Sequence, residues 1–139
     1  MPITLRARDL MDANVVFSDA STTVIEAVRK MVELNVWSLV VQKQGLPAGV
    51  VTERDILRRC VAKGLRMEGV KLEEIMTAPL ISIPPDAHIG EVMEKMVEKG
   101  IRRVYVIENG KVVGRITQTM LFEDSLNVME SLSSMRYHL

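Results

Sequence analysis

The sequence is poor in the residues that anchor small folds or mark chemistry. One cysteine, Cys60, stands alone among 139 residues, which excludes an internal disulfide and a CxxC metal or redox pair and fits a reducing compartment. Aromatic residues make up only 4%, so a core has to be built from Val, Ile, Leu and the 10 methionines, whose flexible thioethers fill irregular gaps. Net charge is absent: 18 Lys and Arg balance 18 Asp and Glu, leaving no global field to draw the chain to nucleic acid or an anionic membrane. No apolar run approaches the roughly 18 residues of a membrane span, and the start MPITLRARDL lacks the apolar middle region of a signal peptide. A cytoplasmic protein with no membrane partner is expected. His88 and His138 have no Cys or second His at ligand spacing, which argues against zinc. No nucleophile motif and no GxxxxGK[ST] loop occurs, so neither enzymatic activity nor a catalytic cofactor is expected.

What the sequence does contain is a duplication. Displaced by 65 residues (76 minus 11), it matches itself without gaps from Met11 against Met76 to Leu57 against Phe122. Identities include Glu26 with Glu91, KMVE at 30–33 and 95–98, Gly45 with Gly110, Gly49 with Gly114 and Thr52 with Thr117. A lone segment of about 60 residues buries too little surface to be comfortable alone, so the two copies are expected to face each other about a pseudo-twofold axis.

Periodicity changes in the same order within each copy. A short apolar run (Val15–Phe17, Leu80–Ile83) leads through a polar turn into an amphipathic helix carrying Val24, Ala27, Val28, Met31 and Val32, or Ile89, Val92, Met93, Met96 and Val97. Asn35 and Gly100 stand where a helix end tolerates a left-handed backbone. Two strands follow, VWSLVVQ and AGVVT or IRRVYVI and KVVGRIT, with turns at QKQGLP and ENG. A second helix starts near Glu53 and near Gln118. The predicted class is mixed α+β: two strand-helix-strand-strand-helix repeats at 7–65 and 66–124, then a helical tail at 125–139. In that tail Leu126, Met129, Leu132 and Met135 keep nearly helical spacing, and packing against its own module is the favoured reading, ahead of covering a dimer or receiving a partner helix.

The stretch GVVTERD combines a glycine permitting close backbone approach, the hydroxyl of Thr52 and the carboxylate of Asp55 one helical turn later. A free helix start suits phosphate oxygens, and an ionised carboxylate accepts hydrogen bonds from a ribose diol. The same Thr-x-x-Asp spacing also describes a capping box. Both readings are open on the motif, since the threonine can cap and bind at once. The corresponding stretch GRITQTM has Met120 in place of the acid.

These residues resemble the cystathionine-β-synthase (CBS) domain, and two copies in tandem resemble the CBS pair, or Bateman module. The resemblance spans about 7–124 and rests on RDLM and EEIM leading into each copy, on IEAVRKMVELNV and IGEVMEKMVEKGI, and on GVVTERD. It implies a regulatory module for AMP, ADP, ATP or S-adenosylmethionine that forms homodimers and acts on an unidentified regulated protein. It also implies that the threonine and aspartate of one copy meet the first two strands of the other. One site then comprises Val51, Thr52, Arg54, Asp55, Leu80, Ile81, Arg102, Arg103 and Val104, with Ile81, Val104 and Val51 as candidate walls for adenine. A second, weaker site comprises Val15, Val16, Trp37, Ser38, Leu39, Ile116, Thr117 and Met120, and has neither acid nor cation from these positions. Adjacent strand residues point to opposite faces, so Arg102 and Arg103 reach one phosphate together only near the strand's end; a solvated edge is the other reading.

Trp37 is a candidate for stacking but is favoured as a core or dimer contact, and Tyr105 is favoured as a partly buried strand residue. Asp55→Ala is expected to weaken ligand binding while leaving ligand-free unfolding nearly unchanged. A dimerising scaffold without a functional ligand is the runner-up. Nucleic-acid binding through Arg102, Arg103, Arg58, Arg59 and Lys63 is disfavoured by the zero net charge.

Overall fold

Each copy folds in the order its periodicity predicts. The computed structural model describes residues 5–136; His138 lies outside them, and Met135 lies outside the described side chains. The first copy contains α1 (Ala7–Leu10), β1 (Phe17–Asp19), α2 (Val24–Leu34), β2 (Ser38–Lys43), β3 (Leu46–Thr52) and α3 (Glu53–Ile56). A π-helical turn, Leu57–Val61, prolongs α3. The second contains α4 (Leu72–Ile75), β4 (Ser82–Ile83), α5 (Ile89–Lys99), β5 (Arg103–Glu108), β6 (Lys111–Thr117) and α6 (Gln118–Arg136). Two three-stranded sheets result, ordered β1-β2-β3 and β4-β5-β6. In each the first strand runs parallel to the second.

The boundaries follow from local chemistry. Thr23 and Glu26 form a reciprocal box at the start of α2, with Glu26 N donating to Thr23 Oγ1 over 3.4 Å and Thr23 N to Glu26 Oε2 over 3.2 Å. The helix ends at Asn35 with φ 53°, and α5 ends at Gly100 with φ 61°, the left-handed caps that the sequence predicts. Gln44 and Gly45 (φ 54° and 77°) and Asn109 and Gly110 (φ 53° and 76°) take consecutive positive φ values. That is the primed turn whose twist matches a two-residue hairpin.

Two compact units emerge. One comprises Asn14–Ile81 with Glu108–Val112; the other comprises the described residues up to Ala13, Ser82–Ile107 and Val113 onward. The RDLM segment therefore belongs with the second sheet. Asp12 and Arg115 form an antiparallel bridge with both N–H···O distances 2.9 Å, and Ala7 N donates to Ala87 O over 2.8 Å. The EEIM segment does the equivalent in the other unit. Val50 N donates to Thr77 O over 3.0 Å, Thr77 N to Val50 O over 2.8 Å, and Leu72 N to Thr22 O over 2.9 Å.

Glycine makes this docking possible. A Cβ built on Gly49 would lie 2.6 Å from the carbonyl oxygen of Thr77 and 3.0 Å from Met76 Sδ, and one on Gly114 would lie 2.5 Å from Met11 Sδ. Behind the first sheet, Val24, Ala27, Leu39, Val41, Val51, Cys60, Leu72 and Ile75 form the core. Val92, Val104, Val106 and Ile116 are as fully buried in the second unit. Aliphatic side chains thus carry the packing, as the scarcity of aromatics requires. Tyr105, at 3% exposure, is more deeply buried than the expected half-buried strand position.

The tail departs from its favoured reading. α6 runs without a break past Leu121, and Leu126, Met129 and Leu132 are exposed rather than packed against their own module.

Asp19 is a surface carboxylate whose ionised form a neighbouring serine favours. The Ser21 hydroxyl and then the Ser21 N–H, both donating to Asp19, hold that carboxyl below its ordinary value. A depressed folded-state value contributes stability present above the unfolded value and lost as pH falls through the folded one. Ser21→Ala is expected to return the Asp19 titration towards the ordinary carboxylate range, as read by NMR of the side-chain carboxyl.

Candidate functional site

Strand β3 delivers Val51 into the core and hands over to α3 at Thr52, whose backbone is still extended (φ −114°, ψ 169°). One turn later the carboxylate of Asp55 folds back. Thr52 N donates to Asp55 Oδ2 over 2.9 Å and Thr52 Oγ1 to the same oxygen over 3.2 Å, while Asp55 N donates to Thr52 Oγ1 over 3.4 Å. The capping box is therefore fully formed. Asp55 is 8% exposed.

Two contacts to this carboxylate escaped sequence analysis. Thr77 Oγ1 donates to Asp55 Oδ1 over 3.0 Å, and Arg59 Nε lies 3.8 Å from the same oxygen. Arg59 also donates through one terminal nitrogen to the carbonyls of Ile75 (3.2 Å) and Met76 (2.9 Å). The i,i+4 spacing of Asp55 and Arg59 was a legible signal; Thr77, 22 positions away, gave none. Asp55 is thus clasped from both sides, by its own helix start and by the EEIM segment. An ionised carboxylate offers about four acceptor positions, so the three hydroxyl and amide donors leave capacity for a further donor.

Of the other residues assigned to this site, Arg54 is exposed, and Leu80 and Ile81 are half-buried just ahead of β4. These belong with Val51, Thr52 and Asp55 to the unit of the first sheet. Arg102, Arg103 and Val104 lie in the other unit: Arg102 is exposed, Arg103 half-buried and Val104 buried. Gln118 N donates to Arg102 O over 2.9 Å, as Glu53 N does to Trp37 O over 3.2 Å one repeat earlier.

The residues assigned to the second site are also divided between the units. Val15 and Val16 are half-buried, Ser38 and Leu39 buried and Trp37 62% exposed, all in the unit of the first sheet. Trp37 is therefore no core residue. Ser38 pairs with Thr52 and Leu39 with Val51 across β2 and β3, so one hairpin carries residues of both assignments. Ile116 is buried, with Thr117 and Met120 half-buried. Thr117 Oγ1 accepts from Met120 N over 3.2 Å, a cap with no carboxylate to reciprocate.

The second unit also carries a charged pair, outside the positions assigned to that site. The position equivalent to Thr77 is Asp12 (77 minus 65) and that equivalent to Val50 is Arg115 (50 plus 65); the two form an ion pair of 3.3 Å. An acid and a cation are present there, carried by the RDLM segment and β6 instead of the helix start.

Thr77→Val removes one hydrogen bond to a charged acceptor. It is expected to cost about 2 kcal/mol, with Thr77→Ser restoring most of the loss in a denaturant titration. Among the described residues no group of three His, Cys, Asp or Glu side chains is placed to hold a metal, and no helix is long and apolar enough to cross a membrane.

The chain is similar in sequence and fold to known proteins. The family model described as the CBS domain matches residues 7–62 and again 72–127. An uncharacterized protein of Methanopyrus kandleri is 34% identical over 106 residues, covering 75% of this chain and 54% of that protein. The chain thus spans about half the length of that relative. A crystal structure of an uncharacterized conserved protein from Pyrococcus horikoshii has a TM-score of 0.81 and 36% identity, covering 90% of this chain and 95% of that one. The CBS domain pair of protein MJ0100, solved in complex with 5′-methylthioadenosine and S-adenosyl-L-methionine, has a TM-score of 0.77 at 23% identity, covering 87% and 95%.

Proposed function

This chain belongs to the CBS domain family, with two copies in tandem, and from that premise we propose that it is a regulatory module for an adenosine compound, AMP, ADP, ATP or S-adenosylmethionine. The observation that carries the reading is the carboxylate of Asp55, buried at a helix start, pre-oriented by Thr52 and Thr77, and replaced by Met120 in the other copy. A sheltered carboxylate with one acceptor position left suits one hydroxyl of a ribose. Ile81 and Leu80, both half-buried, offer apolar surface to the base; the assignment also names Val51, Arg54, Arg102, Arg103 and Val104. The two adenosine compounds bound by the MJ0100 pair support this choice of ligand class.

Regulation follows if the ligand prefers one packing arrangement of the protein, since a ligand shifts an equilibrium only by its differential affinity for the two states. The output is a homodimer whose altered packing changes the activity of a partner protein in the cytoplasm. No catalytic step is assigned. The weaker site retains Val15, Val16, Trp37, Ser38, Leu39, Ile116, Thr117 and Met120, and lacks the helix-start acid.

A second reading, a dimerising scaffold without a ligand, is favoured by one observation: both oxygens of Asp55 already have internal donors. A thermal-shift panel separates the two. Ligand at about 100 times its dissociation constant stabilises by about 2.7 kcal/mol, so at least one adenosine compound is expected to raise the unfolding midpoint by several degrees. No shift with any of the four at millimolar concentration selects the scaffold.

A further inference from the structure

The helix that follows the glycine strand is irregular in one copy only. In the first copy the chain leaves α3 through the π-helical turn Leu57–Val61. In the second, the equivalent residues 122–126 (57 plus 65 to 61 plus 65) lie inside the unbroken α6. A π-turn takes one residue more than an α-turn and re-aims the side chains it carries, and such turns concentrate at functional sites. This one carries Arg59. The equivalent position in the second copy is Asp124 (59 plus 65), an exposed acid. The copy that keeps the buried carboxylate therefore also keeps the turn and the cation.

Arg59 connects two parts of its unit. One terminal nitrogen donates to the carbonyls of Ile75 and Met76, at 3.2 and 2.9 Å, oxygens at a helix end, where intrahelical partners run out. Its Nε stands 3.8 Å from Asp55 Oδ1, the oxygen that accepts from Thr77 Oγ1 over 3.0 Å. The guanidinium thus spans from the carboxylate to the stretch 75–77, which the reciprocal N–H···O contacts of Val50 and Thr77 fasten to β3. Leu80 and Ile81, the half-buried residues that offer apolar surface to a base, follow within four positions. Fastening of a lead-in segment does not by itself require a cation on the helix. In the second unit the equivalent bridge, Asp12 with Arg115, carries its cation on β6. The helix-borne arginine goes with the carboxylate.

We propose that Arg59 is the positioning residue of the Asp55 site. It holds the carboxylate and the stretch 75–77 in one register, so that the sugar acceptor and the apolar surface of Leu80 and Ile81 are set relative to each other in the free protein. A planar guanidinium suits this bridging, because one end of its fork serves carbonyls while the other faces a carboxylate. The inference rests on the adenosine reading above and adds the residue that sets the geometry of that site. Binding and fastening are then linked in both directions: a ligand held by Asp55 and Ile81 tightens the Val50–Thr77 bridge, and a loosened bridge weakens the ligand.

The test uses the full chain with Arg59→Met and Arg59→Lys, at a position whose side chain is 45% exposed. Amide hydrogen exchange of Val50 and Thr77 is followed by NMR without ligand, and the amides of Asp12 and Arg115 in the other unit report any general destabilisation. Arg59→Met is expected to speed exchange at Val50 and Thr77 by about tenfold while Asp12 and Arg115 stay within about twofold. Arg59→Lys, which keeps a donor cation, is expected to restore most of the protection. AMP, ADP, ATP and S-adenosylmethionine are then titrated in turn, and the compound that binds the wild-type chain is expected to bind Arg59→Met about fivefold more weakly. Faster exchange with unchanged affinity would make Arg59 a fastening of the segment alone and overturn the proposal. Unchanged exchange at Val50 and Thr77, or equal acceleration in both units, would overturn it too. A wild-type chain that binds none of the four compounds would overturn the adenosine reading itself, and the proposal with it.

Discussion

Alanine at Gly49 is expected to lower the thermal unfolding midpoint by roughly 10 °C, the loss of about 3 kcal/mol that overpacking imposes on a chain of this size. The added methyl would sit 2.6 Å from the carbonyl oxygen of Thr77. That oxygen accepts from Val50 N in the bridge fastening the EEIM segment, so it cannot retreat without breaking a backbone hydrogen bond. Gly114→Ala meets Met11 Sδ, Cγ and Cβ at 2.5 to 2.9 Å; the sulfur can swing aside, but the Cβ is fixed to a backbone that the Asp12 and Arg115 bridge holds in place. A loss of similar size is expected there, and both variants are read by differential scanning calorimetry. Losses below about 1 kcal/mol in both would show that the lead-in segments are not held against the glycine strands as described.

Asp55→Ala is expected to act twice. Without ligand it removes the acceptor of Thr52 N and of the Thr77 hydroxyl, and loss of the reciprocal half of the capping box together with an orphaned partly buried donor costs about 2–3 kcal/mol. This overturns the sequence-based expectation of nearly unchanged ligand-free unfolding: the carboxylate is 8% exposed and belongs to the fold as much as to a site. With ligand, the variant is expected to lose most of the stabilisation by adenosine compounds. Thr77→Val separates the roles, because it weakens the clasp but keeps the carboxylate. Met120→Ala, at the equivalent position, leaves the Thr117 cap with its backbone donor and is expected to change stability by less than about 1 kcal/mol.

The contrast shows which information was local. The elements of each copy, the left-handed ends at Asn35 and Gly100 and the two primed turns are written in short-range patterns, and they were legible. Gly49 and Gly114 could be read as points of close approach, but not what approaches them. That Met11 meets Gly114 while Met76 meets Gly49 is a pairing between distant segments with no periodic signature. Each RDLM-type segment was assigned to the copy it precedes in the chain. It packs with the other sheet because the space above each glycine is filled by the methionine of the opposite copy.

The site divides in the same way. The Thr52 and Asp55 pair is an i,i+3 pattern and was found, whereas Thr77 is a single threonine whose role appears only when β3 bridges to residue 77. Asp12 was likewise passed over, since its partner Arg115 stands 103 residues away. The tail failed for a different reason. Helical spacing of Leu126, Met129 and Leu132 identifies an apolar face without saying whether the covering surface belongs to the same chain.

The central claim, that the acid kept in one copy and lost in the other defines one adenosine site, is tested most directly by isothermal titration of AMP, ATP and S-adenosylmethionine into the wild-type chain and Asp55→Asn. Saturation at one equivalent per chain by at least one of them, with affinity at least tenfold weaker in Asp55→Asn, is the predicted result. Two equal sites per chain, or an affinity indifferent to Asp55, would contradict it.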